Sequence, residues 1–492
     1  MAVQDEQQPP PLHILSFPFP APGHLIPVAD MAALFAARGV RCTILTTPVN
    51  AATIRSSVDR ANDAFSGTSS PAISISAVPF PDVGLPPGVE SGTALTSQGD
   101  RGRFFRGLQL FREPFDRFLA GSRPDAVVSD SFFHWSLDAA AAHGVPRIAF
   151  LGTSVFARSC SDRMLRSNPL AAAPDDPDAL VSLPGLPHRV ELRRSQMMDP
   201  AKEAVHWAFF QSVNATDERS FGEVFNSFHE LEPDYVEHYH STLGRRAWLV
   251  GPVSLAGKDM AGRGTSAPSP DAGGCLRWLD AKPAGSVVYV SFGTLTSFSP
   301  AELHQLARGL GLSGKNFVWV MGAADPSSEW MPEGFAELMA RGDRGFIVRG
   351  WAPQLLILNH PAVGGFVTHC GWNSTLEAVS AGVPMVTWPR YADQFNNEML
   401  IVELLKVGVS VGARDYASSA EAHEVIGGEA IAESIGRLTE SDVIKKKAKD
   451  LAVKARSAVA FASNHLSAVL AASIELFFWL STSFITGSVL IS

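Results

Sequence analysis

The stretch LHILSFPFPAPGHLIPVADMAALFAARGVRCTILT, residues 12–46, decides the fold. Leu12–Phe17 is an apolar run of strand length that stops at a proline-rich loop, Pro18–Gly23. Leu25–Ala37 has the length and spacing of a helix, Gly39 ends it, and Val40–Thr46 is a second strand. A strand, a helix and a strand joined this closely form a unit whose two strands lie parallel, with the helix packed across them.

The alternation recurs outward from this unit. Asp125–Val128 reads as a strand ending near Asp130, a helix follows near His134–His143, and Arg147–Leu151 is strand again. Residues 167–249 are less regular, with loops at Ala173–Asp178 and Leu183–Pro187. Ala256–Gly274, dominated by Gly, Ala, Ser, Pro and Asp, reads as a linker. A second series then places strands at Ser286–Ser291, Asn316–Met321, Gly345–Val348, Val363–Thr368 and Val383–Trp388, with helices such as Pro300–Leu310 and Ser374–Ala381 between them. The expected fold class is α/β, two Rossmann-like doubly wound domains facing a cleft: residues 1–250, a linker at 251–275, and residues 276–465, followed by an atypical tail at 466–492. Sheets of this kind bind ligands beyond the carboxyl ends of their strands. That rule nominates the loops after Phe17, Val128, Ser291, Val348, Thr368 and Trp388.

Composition narrows the function. A formal charge of −9, a pI of about 5.9 and no basic block speak against a nucleic-acid partner. The run Lys445–Lys447 sits in a charge-mixed, helix-like stretch and reads as a solvated face. Cys42, Cys160, Cys275 and Cys370 are widely spaced and expected to be buried thiols. The acidic, proline-rich amino terminus lacks the basic region and apolar core of a secretory signal, so a cytoplasmic monomer is expected. On that footing the sequons at Asn214 and Asn373 are chance matches.

Chemistry concentrates in GGFVTHCGWNSTLE, residues 364–377. A strand ends at His369, Gly371 turns the chain, and a helix begins near Asn373, so its free amides and positive dipole end favour an anionic phosphate. Ser374 and Glu377 have the spacing of a capping box, a purely structural reading that is compatible with phosphate binding. In the first half, His24 stands at a helix start, where the dipole is expected to keep an imidazole neutral and able to accept a proton. Asp130 ends a strand of the same sheet, where it could hold the imidazole tautomer. A match to GxGxxG at Gly309–Gly314 follows a helix and precedes a strand, the reverse of a dinucleotide fingerprint. No metal-ligand cluster is visible, and no metal cofactor is expected.

The 44 residues from Trp351 to Gln394, WAPQLLILNHPAVGGFVTHCGWNSTLEAVSAGVPMVTWPRYADQ, closely resemble the signature box of plant secondary-metabolite UDP-glycosyltransferases. The likeness extends over residues 12–460 and includes Pro20, Gly23, His24 and the segment Ser129–Trp135. It implies the GT-B architecture and UDP-glucose as co-substrate. It implies that Trp351 stacks on uracil and Ala352 meets it through its backbone, that Gln354 and Glu377 bind ribose, and that His369, Asn373 and Ser374 bind the diphosphate. Thr296, ahead of Thr294, adds a phosphate contact, while Trp372, Asp393 and Gln394 take the sugar. His24 becomes the general base, assisted by Asp130, in an inverting transfer to the hydroxyl of a small lipophilic acceptor. The acceptor site is expected from Phe132, Phe133, the loops near Phe80–Gly92 and the stretch Ser167–Phe210.

The carboxyl end departs from the family. From Leu466 to Ser492 the chain is almost wholly apolar or small, with Glu475 its only charge. The preferred reading is an alternative end that replaces the relatives' docking helix and weakens the coupling between domains. A membrane anchor is the other reading, at the cost of a mid-span carboxylate, about 2.5–3.5 kcal/mol.

Overall fold

The residues of β1, His13–Phe17, are buried on both faces, as expected for a central strand of a parallel sheet. In a computed structural model, which describes residues 11–95, 97–255, 263, 270–321, 330–341 and 344–459, this strand organises the first half. It lies between β2 (Arg41–Thr46) and β4 (Ala126–Asp130). With β3 (Ser74–Ala77), β5 (Arg147–Phe150), β8 (Gly222–Phe225) and β9 (Ala247–Leu249) it forms a seven-stranded parallel sheet ordered β3-β2-β1-β4-β5-β8-β9. The strand order reverses at the β1–β4 boundary, and the crevice there opens beneath the loops that follow these two strands.

The second half repeats the plan. Strands β10 (Val287–Ser291), β11 (Asn316–Met321), β12 (Gly345–Arg349), β13 (Val363–Thr368), β14 (Met385–Thr387) and β15 (Gly408–Ser410) form a six-stranded sheet ordered β12-β11-β10-β13-β14-β15. Its reversal falls between β10 and β13. The fold class read from the sequence is therefore correct.

The irregular stretch is more ordered than its composition suggests. It carries the hairpin β6 (Leu180–Leu183) and β7 (Val190–Arg193), a helix Ala204–Arg219, and the last two strands of the first sheet. Its polar residues are buried in ion pairs. Arg147 and Arg158 both reach Asp217, at 2.9 and 3.2 Å, and Arg158 also reaches Glu223 at 3.1 Å. Buried charges persist only when paired in this way. The helix Pro270–Asp280 begins within the segment read as linker. The Gly309–Gly314 match lies at the end of the helix Pro300–Leu312 and the turn after it. Among the described residues no helix is long and apolar enough to cross a membrane. The tail at 466–492 lies outside the described residues.

Candidate active site

Each half delivers its chemistry at its own reversal point. In the first, the helix Pro22–Ala36 starts with proline at its first position, where no amide hydrogen is needed. This places His24 in the first turn, above the sheet edge where Asp130 ends β4. His24 Nδ1 lies 2.6 Å from Asp130 Oδ2. The other carboxylate oxygen accepts the Phe132 amide at 3.0 Å, so the carboxylate is fixed in rotation. Asp130 is fully buried, while the His24 side chain is 21% exposed, toward the cleft.

The dipole argument for a depressed His24 needs correction. Burial does oppose its charged form, but the adjoining Asp130 carboxylate, with a lesser contribution from Asp393, outweighs it and raises His24 above the ordinary 6.5. A full negative charge in hydrogen-bond contact exceeds the partial charge of a helix end.

In the second half, the loops after β10 and β13 meet around His369. Its ring is packed against the backbone of Gly293 and Gly371. A Cβ at Gly293 would stand 2.8 Å from the ring, and one at Gly371 2.4 Å from it. Gly293 also has φ +72°, so glycine is required there on two counts. Burial pushes His369 down to about 4, which leaves a neutral imidazole.

A helix Trp372–Ala381 follows, with Gly371 rather than Ser374 at its cap and no side-chain capping bond. The expected capping box is absent because Ser374 and Glu377 are engaged elsewhere. Gln354 donates to Ser374 Oγ at 3.0 Å and to Glu377 Oε2 at 2.8 Å, and accepts from the Tyr289 hydroxyl at 3.3 Å. The first-turn amides thus face the cavity without side-chain competition.

All twelve second-half residues singled out in the sequence, with His24, line one cavity of about 310 Å³ between the halves: Thr294, Thr296, Trp351, Ala352, Gln354, His369, Trp372, Asn373, Ser374, Glu377, Asp393 and Gln394. Asp130 stands behind His24. Three buried polar atoms here lack partners: His369 Nδ1, Asn373 Oδ1 and Thr296 Oγ1. Thr294, by contrast, is exposed. The Trp372 indole donates to the Asn226 carbonyl at 2.8 Å, which leaves only its ring and backbone for a ligand. Gln394 Oε1 accepts the Arg390 amide at 2.8 Å, which turns its amide nitrogen outward as a donor. Asp393 precedes a short helix, Gln394–Met399, without capping it by side chain; it accepts instead from the Thr153 hydroxyl at 2.6 Å.

Two contributors escaped the sequence reading. Thr153 follows β5, and the carboxyl-end rule would have found it had that loop been included. Arg263 bridges Asp30, at 2.6 Å, and Glu377 across the cleft; nothing in its glycine- and serine-rich surroundings marks it. In the first half, Phe19 and Phe132 flank the His24 ring at 5.3 and 5.6 Å, and Phe209 and Phe210 pack on Phe132. Phe133, expected in this pocket, is instead 1% exposed and stacked on Phe17 at 4.2 Å in the core. The two residues lie in the turn after β4, where the Phe133 amide donates back to the Asp130 carbonyl at 3.0 Å, and the turn sends one ring to the cleft and the other to the core.

Two Rossmann-like halves facing each other across a cavity, with a histidine–aspartate pair at its edge, define a glycosyltransferase of the GT-B class. The comparisons agree. Residues 202–440 match the family model described as UDP-glucoronosyl and UDP-glucosyl transferase. Scopoletin glucosyltransferase of Nicotiana tabacum is 43% identical over 91% of this chain and 94% of its own. UDP-glucose flavonoid 3-O-glucosyltransferase 7 of Fragaria ananassa is 40% identical over 91% and 92%. The crystal structure of Glycyrrhiza uralensis UGT73P12 complexed with glycyrrhetinic acid 3-O-monoglucuronide aligns with a TM-score of 0.87 at 36% identity, over 97% of this chain and 99% of that one. The chain belongs to the plant UDP-glycosyltransferase family.

Proposed function

We propose that this enzyme transfers glucose from UDP-glucose, with inversion, to a hydroxyl of a planar phenolic or polycyclic acceptor. The observation that carries this reading is a pair of unpartnered buried atoms able to donate, His369 Nδ1 and Thr296 Oγ1, in the cavity that the first turn of the helix Trp372–Ala381 shares with His24. Buried polar atoms are normally paired, and a diphosphate would supply the missing partners. Uracil would stack on Trp351, ribose would meet Gln354 and Glu377, and the sugar would lie between Asp393 and Gln394. Residues 276 onward would thus hold the donor and residues 1–250 the acceptor.

The chemistry follows from position. Asp130 accepts a hydrogen bond from Nδ1–H of His24, which fixes the tautomer and leaves Nε2 with a lone pair. Nε2 accepts the proton of the acceptor hydroxyl as its oxygen attacks the anomeric carbon, and the bond to the diphosphate breaks on the opposite face. The helix amides stabilise the charge that develops there. Phe19, Phe132, Phe209 and Phe210 offer ring faces to a flat acceptor, in keeping with the scopoletin and flavonoid in the relatives' names.

The test is turnover of UDP-glucose with a panel of phenols, read by product mass and anomeric configuration. His24→Ala is expected to lower kcat by about 10²–10⁴ with UDP affinity unchanged. Asp393→Ala is expected to lose most activity. Retention of configuration, a better rate with UDP-galactose or UDP-glucuronate, or an active His24→Ala variant would each overturn the proposal.

A further inference from the structure

The helix that carries His24 contains a proline, Pro27, in its interior. Proline has no amide hydrogen, so the helix bond from position 27 back to the carbonyl of residue 23 cannot form. That carbonyl belongs to Gly23, the neighbour of His24. Its oxygen is not left bare: the side-chain amide of Asn373, from the other half of the molecule, donates to it at 2.6 Å. Asn373 is the second residue of the helix at the donor end of the cavity, and its remaining oxygen is one of the unpartnered atoms facing that cavity. One side chain therefore links the backbone beside the base to the first turn of the helix that lines the opposite wall of the cavity.

We infer that Pro27 is a positioning residue, which keeps the Gly23 carbonyl open for Asn373 and so fixes the base-bearing turn against the donor helix. This rests on the function proposed above. A helix interior otherwise disfavours proline strongly, and Pro27 is buried, outside the lining of the cavity. An ordinary residue would close the helix on itself and compete with Asn373 for the same oxygen. The two halves would lose a tether at the point where base and donor must be held in register, and small misplacements there are costly.

The experiment is a double-mutant cycle of Pro27→Ala and Asn373→Ala, read by kcat, by KM for UDP-glucose and by thermal unfolding. Alone, Pro27→Ala is expected to lower kcat about tenfold while KM moves less than about threefold, and in the Asn373→Ala background its effect on kcat should shrink to within about twofold. A merely structural proline would act equally in both backgrounds, and that result overturns the inference. A second arm leaves Pro27 untouched: Asn373→Ala should speed hydrogen exchange at the amides of His24 and Leu25, which bond to the Ala21 carbonyl in the turn that the tether holds. Unchanged exchange there also overturns it. Neither exchange nor unfolding requires substrate. A wild-type protein that transfers no glucose would therefore sink the proposed function while leaving the tether to be judged by these two readouts.

Discussion

Thr153 donates to Asp393 across the cleft at 2.6 Å, joining the end of β5 in one half to the loop after β14 in the other. On the proposed function the carboxylate so held would receive sugar hydroxyls, and the bond fixes which way it points. Thr153→Val, which keeps the shape and removes the hydroxyl, should lower kcat/KM for UDP-glucose about 10- to 100-fold, as expected for losing a hydrogen bond to a charged group. Binding of UDP, which lacks the sugar, should change less than about twofold by calorimetry. An equal loss for UDP and UDP-glucose would show that Thr153 serves general architecture instead.

The raised His24 value sets the pH profile. The proposed base would work neutral, so kcat/KM should fall as pH drops through the His24 value, and this acid limb should lie above the ordinary 6.5. Asp130→Asn removes the charge that raises it and leaves the burial that lowers it. The limb should then move to lower pH even as the maximal rate drops. A limb that stays in place in that variant would show that another group controls it. His369, held near 4, should add no dependence across the same range.

Gly293→Ala tests the support of His369. The new methyl would meet the ring at 2.8 Å in a left-handed backbone conformation. The strain is about 1–2 kcal/mol, visible in thermal unfolding. The displaced ring should weaken UDP binding about tenfold. Wild-type affinity would mean that His369 contributes little to nucleotide binding.

Arg263→Ala leaves the carboxylates of Asp30 and Glu377 facing each other without their shared counter-charge. UDP affinity should fall about tenfold, and more steeply in low salt than in high, because screening softens the repulsion. Tighter binding in the variant would reveal that the arginine competes with the nucleotide.

The regular elements and the second-half residues that line the cavity were legible in the sequence because their signals are local. Asn316–Met321 and Val363–Thr368 match their strands residue for residue, since each is an apolar run cut off by turn-forming residues. Other features were decided by contacts between distant parts of the chain. Whether Ser374 and Glu377 cap their helix depends on Gln354, some 20 residues away, and the His24 ionisation depends on Asp130 more than on the helix it begins. The strands β8 and β9 are only four and three residues long, too short for periodicity to register. Arg263 has no neighbouring pattern, and only the folded cleft gives it partners.

The locked Asp130 carboxylate has a kinetic consequence. With Nδ1 sealed against a fully buried group, a proton gained at Nε2 has no inward route. On the proposed mechanism it would depart on the cleft side, where the His24 ring is exposed. A bulky, slowly departing product on that side would then delay the resetting of the proposed base.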